Sequence, residues 1–248
     1  MWVCRGCVRI GRSDWSIYET REYHRKGMFV VLLDLSAAFD TVTHSILFER
    51  MENEICLKGN VLKWLRSYFS DRTTSICING TQSTKCSLQY GLPQGSIVGP
   101  LSFTMYTIPI GRIIEQHGLS YHLYADDIQL YTSFDPSSTS SIDSALSTLT
   151  KCINEIECWM TCNMLKLNND KTEFFVALSP HNKRLMPAVT LPIGNTVIKP
   201  TETVRNLGII FDTTMSMSMQ VSTLSRSIIF HLRNISRIRR YLDFNTCN

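Results

Sequence analysis

The stretch Tyr121-His-Leu-Tyr-Ala-Asp-Asp-Ile-Gln-Leu-Tyr131 places two neighbouring carboxylates between two runs of aliphatic, aromatic and β-branched residues. This pattern predicts a strand, a tight acidic turn and a second strand. Two adjacent negative charges repel each other unless a cation offsets them, and no Lys or Arg occurs between Arg112 and Lys151. The stretch therefore predicts that Asp126 and Asp127 bind a divalent metal ion. The alternative is an ordinary acidic turn on the surface.

A third carboxylate ends an apolar run upstream, Gly27-Met-Phe-Val-Val-Leu-Leu-Asp34. We expect this run to form a buried strand, with Asp34 emerging where the strand leaves the core. Mg²⁺ prefers oxygen ligands and is usually held by one or two carboxylates together with substrate phosphates and water. Two such ions about 4 Å apart can clamp the attacking and leaving oxygens of a phosphoryl displacement. Asp34, Asp126 and Asp127 on adjacent strands would supply that geometry.

Five motifs occur in order around these carboxylates. They are Leu33-Asp-Leu-Ser-Ala-Ala-Phe-Asp-Thr-Val42 with His44, Gly91-Leu-Pro-Gln-Gly-Ser-Ile-Val-Gly-Pro100, Tyr124-Ala-Asp-Asp127, Trp159 with Asn163-Met-Leu-Lys-Leu-Asn168 and Asp170-Lys-Thr-Glu173, and Val204-Arg-Asn-Leu-Gly-Ile-Ile-Phe-Asp212. The series resembles the palm of a reverse transcriptase, of the non-LTR (LINE-type) retrotransposon kind. Each motif alone is weak evidence, whereas the ordered series is specific. The resemblance runs from about Met28 to the C-terminus and leaves the first 27 residues unmatched.

The resemblance implies an RNA-directed DNA polymerase, in which a primer 3′-hydroxyl attacks the α-phosphate of a deoxynucleoside triphosphate and pyrophosphate leaves. It implies two Mg²⁺ ions, with Mn²⁺ as a substitute, at Asp34, Leu35, Asp126 and Asp127. Lys171 resembles a lysine proposed to assist pyrophosphate departure; the alternative is a solvated lysine in a turn. The implied partners are an RNA template, a DNA primer and dNTPs. The implied location is intracellular, and nuclear by analogy with target-primed copying.

A nucleotide-binding role is implied for a second group of residues. Leu35 and Phe39 follow the first aspartate, and in such polymerases the aromatic residue packs beneath the incoming sugar and excludes a ribose 2′-hydroxyl. Pro93, Gln94 and Gly95 precede a predicted helix, whose N-terminus attracts anions. The alternatives are core packing for Phe39 and a simple loop with a helix cap for the Pro-Gln-Gly segment.

Basic residues cluster near the C-terminus and alternate with apolar ones at roughly helical spacing. One interpretation is the solvated face of an amphipathic helix, and the other is a helix that contacts a phosphate backbone. The resemblance favours the second, as part of a thumb. The arginines are Arg226, Arg233, Arg237, Arg239 and Arg240.

The order of predicted elements is strand, two helices, hairpin, helix, acidic hairpin, helix and short strands. This order predicts an α+β domain in which helices back an antiparallel sheet. Asn79-Gly80 predicts the turn of the first hairpin. A polar connector over 135–141 precedes the last helix, whose apolar residues from Ile142 to Met160 recur at a spacing that predicts one buried stripe.

With 248 residues, 44% of them hydrophobic, the chain can bury a substantial core, and a net charge of +4 alone does not indicate nucleic-acid binding. We expect an N-terminal segment over 1–27, a palm over 28–212 with partial fingers elements within 44–90, and the start of a helical thumb over 213–248.

Cysteine content and hydropathy limit the cellular compartments in which the protein is expected. The nine cysteines are an odd and scattered set with no signal peptide before them, so reduced thiols are expected. The Cys4-Arg-Gly-Cys7 spacing is half of a zinc site, but no second pair follows at a finger-like distance. No apolar run approaches the roughly 20 residues of a membrane span.

Two other hypotheses compete with an active reverse transcriptase. No segment before Met28 aligns with the fingers that grip the triphosphate in the family, so a catalytically inactive remnant that at most binds nucleic acid is the alternative. An RNA-templated RNA polymerase is the third hypothesis. Phe39 argues against it, because an RNA polymerase must admit the 2′-hydroxyl.

Overall fold

The computed structural model describes residues 26–184, 186–194, 196–239 and 241, and within them it has five α-helices, thirteen strands and one 3₁₀ turn (Asn182–Arg184). The helices are α1 (His44–Asn53), α2 (Gly59–Phe69), α3 (Val98–Gln116), α4 (Thr139–Cys162) and α5 (Ser218–Arg239). The strands are β1 (Gly27–Leu33), β2 (Thr73–Thr74), β3 (Cys77–Ile78), β4 (Thr81–Gln82), β5 (Cys86–Ser87), β6 (Ser120–Tyr124), β7 (Asp127–Phe134), β8 (Glu173–Ala177), β9 (Leu191–Ile193), β10 (Thr196–Ile198), β11 (Pro200–Thr201), β12 (Thr203–Asn206) and β13 (Ile209–Asp212).

The central sheet has five strands in the order β11-β8-β1-β7-β6. The three pairings among β8, β1, β7 and β6 are antiparallel, which confirms the predicted α+β architecture. The prediction of an antiparallel sheet is wrong at one edge, where β11 pairs with β8 in parallel. This edge strand begins with Pro200, and proline is tolerated at a sheet edge because it has no N–H to donate to a further strand.

Strand β1 lies in the middle of the sheet and is covered on both faces, which explains its continuous apolar sequence. Phe29, Val31 and Leu33 belong to the main core, which the helices complete. Val30 and Leu32 alternate with them and point to the opposite face, where they pack in a smaller cluster with residues of β8 and of the β12–β13 hairpin. The sheet is therefore a middle layer with an apolar layer on each of its faces.

Helix α4 lays an apolar stripe on the core, as its spacing predicts. Ile142, Leu149, Ile153, Ile156 and Met160 are buried there. The side chain of the N-cap residue, Ser138, accepts a hydrogen bond from the Ser141 amide, as expected for the polar connector that precedes this helix.

Helix α3 is continuous through Pro109. A proline inside a helix removes one backbone hydrogen bond and weakens its neighbourhood. The guanidinium group of Arg50 in α1 donates to the carbonyl oxygen of Tyr106, three residues before the proline. Arg50 therefore donates to this helix close to the position where the proline removes a hydrogen bond.

The Asn79-Gly80 pair forms the predicted two-residue turn, between β3 and β4, and both residues have positive φ. The six cysteines that the structure describes are free thiols. Cys4 and Cys7 lie outside the described residues. Among the helices that are described, none is long and apolar enough to cross a membrane.

Candidate active site

The strand register brings the predicted catalytic carboxylates to one edge of the sheet. Leu33 of β1 pairs with Ile128 of β7, so Asp34, the next residue, leaves the sheet beside Asp127. Asp127 in turn closes the β6–β7 hairpin opposite Tyr124. The hairpin turn consists of two residues, the first of which, Ala125, has a φ of +53°. An alanine in this conformation is strained, and such strain is often found at functional turns.

Asp127 is affected electrostatically by both of the other carboxylates. The pKa of Asp127 is raised first by burial, then by the negative charge of Asp126 and then by that of Asp34. The Asp34 Oδ2 atom is buried and has no hydrogen-bond partner among the described residues. Its nearest cationic group is the Lys171 ammonium, whose Nζ atom lies 4.0 Å from Oδ2. The Lys171 side chain is 71% exposed, so it offsets little of the negative charge.

This donor set fits a Mg²⁺ ion. It offers carboxylate oxygens, one of which accepts no hydrogen bond from the described residues, and a local excess of negative charge. Within the described part of the chain, no three His, Cys, Asp or Glu side chains enclose a metal ion by themselves. An open arrangement of this kind suits Mg²⁺, which commonly completes its octahedral shell with water and substrate phosphates.

Leu35 lies in a backbone bridge that fixes the direction of Asp34. The bridge joins Leu35 to Leu167. The Asn168 amide donates to the Asp34 carbonyl oxygen at 2.8 Å, and the Ser36 amide donates to the Lys166 carbonyl oxygen at 2.9 Å. The Leu35 carbonyl takes part in neither of these two bonds.

A cleft of about 110 Å³ adjoins the carboxylates and contains polar residues that sequence reasoning missed. Besides Asp34, Asp127 and Lys171, its lining includes Glu173, Arg205 and Asn206. Burial raises the pKa of Glu173. The strand position of Glu173 could have indicated its place in the site, since Glu173 pairs with Leu32 in the sheet and so projects on the same face as Asp34.

The Asn206 side chain anchors the β12–β13 hairpin to the central sheet. Its Oδ1 atom accepts a hydrogen bond of 2.9 Å from Gln129 Nε2 of β7. The hairpin thereby holds Arg205 at the cleft.

The predicted nucleotide-binding residues are held together by contacts between two loops. The Leu92 amide donates to the Phe39 carbonyl at 2.7 Å, and the Gln94 side-chain nitrogen donates to Asp40 Oδ1 at 3.1 Å. The Phe39 ring is half-buried and stacks on Phe103, with ring centroids 5.0 Å apart. Phe39 therefore packs on the core, as the alternative interpretation expected, and its remaining surface is accessible.

The loop through Pro93 continues to the N-terminus of α3 as predicted. Gln94 and Gly95 are exposed, and Gly95 has a φ of +76°, which favours glycine. The Ser96 hydroxyl oxygen accepts a hydrogen bond of 2.9 Å from the Gly99 amide and so satisfies one of the free amides in the first turn of the helix.

The C-terminal arginines lie on an exposed helix. Arg226, Arg233, Arg237 and Arg239 are exposed on α5, and Arg240 lies outside the described residues. The helix has no buried residue, and it contacts β13. The Gln220 side chain near its start accepts a hydrogen bond of 2.9 Å from the Ile210 amide.

Comparison with known proteins relates this site to one family. The family model described as Reverse transcriptase (RNA-dependent DNA polymerase) matches residues 8–211, so the match begins upstream of the motif series. The RNA-directed DNA polymerase from mobile element jockey of Drosophila funebris is 25% identical over 203 residues, which is 79% of this chain and 21% of that relative. The probable RNA-directed DNA polymerase from transposon BS of Drosophila melanogaster is 25% identical over 236 residues, 92% of this chain and 23% of the relative.

The chain thus spans between 21% and 23% of the length of these two relatives. Among solved structures, the apo telomerase from Candida tropicalis, truncated from its C-terminal domain, is similar with a TM-score of 0.53. The identity is 11%, and the match covers 82% of this chain and 36% of that one. At this identity the likeness concerns the fold alone.

Proposed function

Because the chain belongs to the reverse transcriptase (RNA-dependent DNA polymerase) family, of the kind found in non-LTR mobile elements, we propose that it transfers nucleotides from dNTPs to a primer 3′-hydroxyl on an RNA template. The observation that supports this most strongly is the buried Asp34 Oδ2 atom, which lacks a hydrogen-bond partner among the described residues, near Asp127, whose pKa the charges of both Asp126 and Asp34 raise. A cation is the partner that such a group of like charges requires.

Asp34, Asp126 and Asp127, with Leu35 beside them, would hold two Mg²⁺ ions. When bound, these ions would stabilise the attacking and leaving oxygens of the displacement. The carboxylates orient the reacting groups and do no covalent chemistry themselves, so catalysis rests on positioning and electrostatics. Lys171, whose Nζ atom lies 4.0 Å from Asp34 Oδ2, would donate a proton or a hydrogen bond to the departing pyrophosphate.

The incoming nucleotide would lie over the Phe39 ring and beside Pro93, Gln94 and Gly95. Stacking on Phe103 holds the Phe39 ring in place, so a ribose 2′-hydroxyl would meet a wall that cannot easily yield. Loss of this wall in Phe39→Ala should raise ribonucleotide incorporation. Unchanged discrimination against ribonucleotides in that variant would contradict the role.

The exposed arginines of α5 would contact the phosphate backbone of the primer–template duplex. Arg226, Arg233, Arg237 and Arg239 are solvent-accessible, and no Asp or Glu occurs between Asp212 and Asp243 to offset them. Neutralising such side chains should weaken binding similarly for all sequences and lower its salt dependence. In this account 28–212 is the palm, with partial fingers elements within 44–90, and 213–248 begins a thumb.

The proposal is tested by primer extension on an RNA template with Mg²⁺ and dNTPs. The wild-type chain should extend the primer, and the Asp126→Asn, Asp127→Asn double variant should not, because asparagine keeps the shape of the turn but removes the charge. Circular dichroism establishes that both proteins are folded. Absence of extension by the folded wild-type chain would overturn the activity and favour the inactive remnant.

A further inference from the structure

Three side chains on and after α2 form a stack at the surface. The Trp64 and Tyr68 rings are stacked, with centroids 5.5 Å apart and an interplanar angle of 22°. The Arg72 guanidinium lies 4.5 Å from the Tyr68 ring centroid, and its Nε atom donates to the Tyr68 carbonyl oxygen at 2.8 Å. The spacing of four residues places Trp64 and Tyr68 on one helix face. We call these three residues the stacking patch.

Trp64 is the solvent-exposed member of the stacking patch, whereas Tyr68 is half-buried and packs against the core. Trp64 is 56% exposed, as is Val61 one turn before it. In the part of the chain that the structure describes, Tyr68 is the aromatic ring that stacks on Trp64, and no guanidinium group does so. Large aromatic side chains are normally buried, so an exposed and ordered ring stack indicates a surface that binds something.

The segment that carries the stacking patch is basic. The segment 58–90 contains five Lys or Arg residues and one acid, Asp71, so its net charge of +4 equals that of the entire chain. The Arg66 guanidinium is paired with Glu52 at 3.0 Å. The five bases are Lys58, Lys63, Arg66, Arg72 and Lys85.

We propose that the stacking patch binds single-stranded RNA, with a base stacked on Trp64 and neighbouring phosphates bound by lysines such as Lys63. Aromatic rings in a basic surface are the features with which proteins hold single strands, since every base has a face that can stack. A duplex offers no unpaired base to such a ring, so it would be held only by its phosphates and not by stacking. The identity of the strand as template rests on the proposed function, whereas the binding itself does not.

Binding is measured with the full chain and a fluorescently labelled single-stranded RNA of mixed sequence, by fluorescence anisotropy. Trp64→Ala should weaken binding by about fivefold or more, the scale of one lost stacking contact. Trp64→Phe should retain most of the affinity. Val197→Ala, which alters a residue that is 60% exposed outside this surface, serves as the matched control and should not change affinity.

Two results would overturn the proposal. One is an unchanged affinity of folded Trp64→Ala for single-stranded RNA. The other is an equal effect of Trp64→Ala on single-stranded and double-stranded RNA, which would indicate charge rather than stacking. If the unchanged affinity of the first result is accompanied by a lower unfolding midpoint of Trp64→Ala, it also shows that Trp64 serves protein packing.

The same assays separate this proposal from the polymerase activity. The Asp126→Asn, Asp127→Asn variant should bind single-stranded RNA as the wild type does, because the stacking patch is intact. If the wild-type chain fails to extend a primer but loses RNA affinity in Trp64→Ala, the stacking patch is supported and the polymerase function fails. If primer extension succeeds but Trp64→Ala binds single-stranded RNA with wild-type affinity, the polymerase function is supported and the stacking patch fails.

Discussion

The Nε2 atom of His44 lies 2.7 Å from the carbonyl oxygen of Gly91, and this contact joins the first turn of α1 to the loop before α3. Gly91 has a φ of +86°, and its amide donates to the Val42 carbonyl oxygen at 2.8 Å. A Cβ atom at Gly91 would lie 3.2 Å from the Asp40 carbonyl oxygen. The segment that carries Gln94 is thus fastened to the segment that carries Phe39.

Removal of this contact should affect nucleotide binding more than chemistry. In His44→Ala we expect the KM for dNTPs to rise several-fold with a smaller change in kcat, because the loop loses one hydrogen bond of about 1 kcal/mol. His44→Gln, whose amide can donate to the same carbonyl, should recover part of the loss. Steady-state primer extension measures both parameters. Equal KM values for the three proteins would show that the contact does not position the loop.

Arg50 is a buried cation that joins three helices, and its removal should destabilise the fold. It is 8% exposed, its guanidinium donates to the Tyr106 carbonyl and to Asn163 Oδ1, and it lies 4.7 Å from the Trp159 ring centroid. We expect Arg50→Ala to lower the free energy of unfolding by roughly 3 kcal/mol, since one buried and one partly buried acceptor lose a donor. Urea denaturation measures this change.

Arg66→Ala is the matched control for that experiment. Arg66 pairs with Glu52 at the surface, and exposed pairs of this kind contribute about 0 to 1 kcal/mol. Equal losses in the two variants would contradict the structural role of Arg50.

Close packing between α3 and β6 depends on Gly111. A Cβ atom at this position would lie 2.5 Å from the Tyr121 hydroxyl oxygen, and Tyr121 is a buried residue that cannot easily move aside. Gly111→Ala should therefore destabilise the protein by about 1 to 3 kcal/mol, although alanine favours helix. In a Tyr121→Phe background the loss should be smaller. A double-mutant cycle in urea measures this coupling, and purely additive effects would refute the clash.

Stability at acidic pH should depend on Asp212, the last residue of β13. Burial opposes its ionisation, but hydrogen bonds from Thr214 and Ser216 outweigh that effect and lower the pKa of Asp212 to about 2. Because the folded-state pKa is lowered, the stabilisation is present above the ordinary Asp pKa of about 4 and is lost as the pH falls through about 2.

Asp212→Asn should therefore be less stable than the wild type at pH 6, and the difference should shrink between pH 4 and pH 2. Unfolding free energies measured across this range test the prediction. A difference that does not change with pH would mean that the charge of Asp212 does not contribute.

The sequence predicts those parts of the fold that depend on local patterns. The Asn79-Gly80 turn and the stripe of α4 each follow from a spacing within one segment, and both occur as predicted. Strand β11 was not predicted, because two residues carry too little pattern and its pairing with β8 depends on a partner more than 20 residues earlier.

The candidate site shows the same division. Asp34, Asp126 and Asp127 are visible in the sequence because acids interrupt apolar strands. The contacts that orient the site are not, since Asp40 reaches Gln94 and Arg50 reaches Asn163 across long stretches of chain. Such pairs depend on how helices and loops pack, and one sequence alone does not record that packing.

The most direct test of the central claim is Mn²⁺ binding to the three carboxylates, measured by electron paramagnetic resonance in the presence of primer–template and a dNTP. We predict that the wild-type chain binds Mn²⁺ and that Asp34→Asn and Asp126→Asn each weaken binding at least tenfold, whereas Asp143→Asn, on α4, has no effect. Equal Mn²⁺ affinity in the wild type and the Asp34 and Asp126 variants would contradict the claim that these aspartates form one metal site.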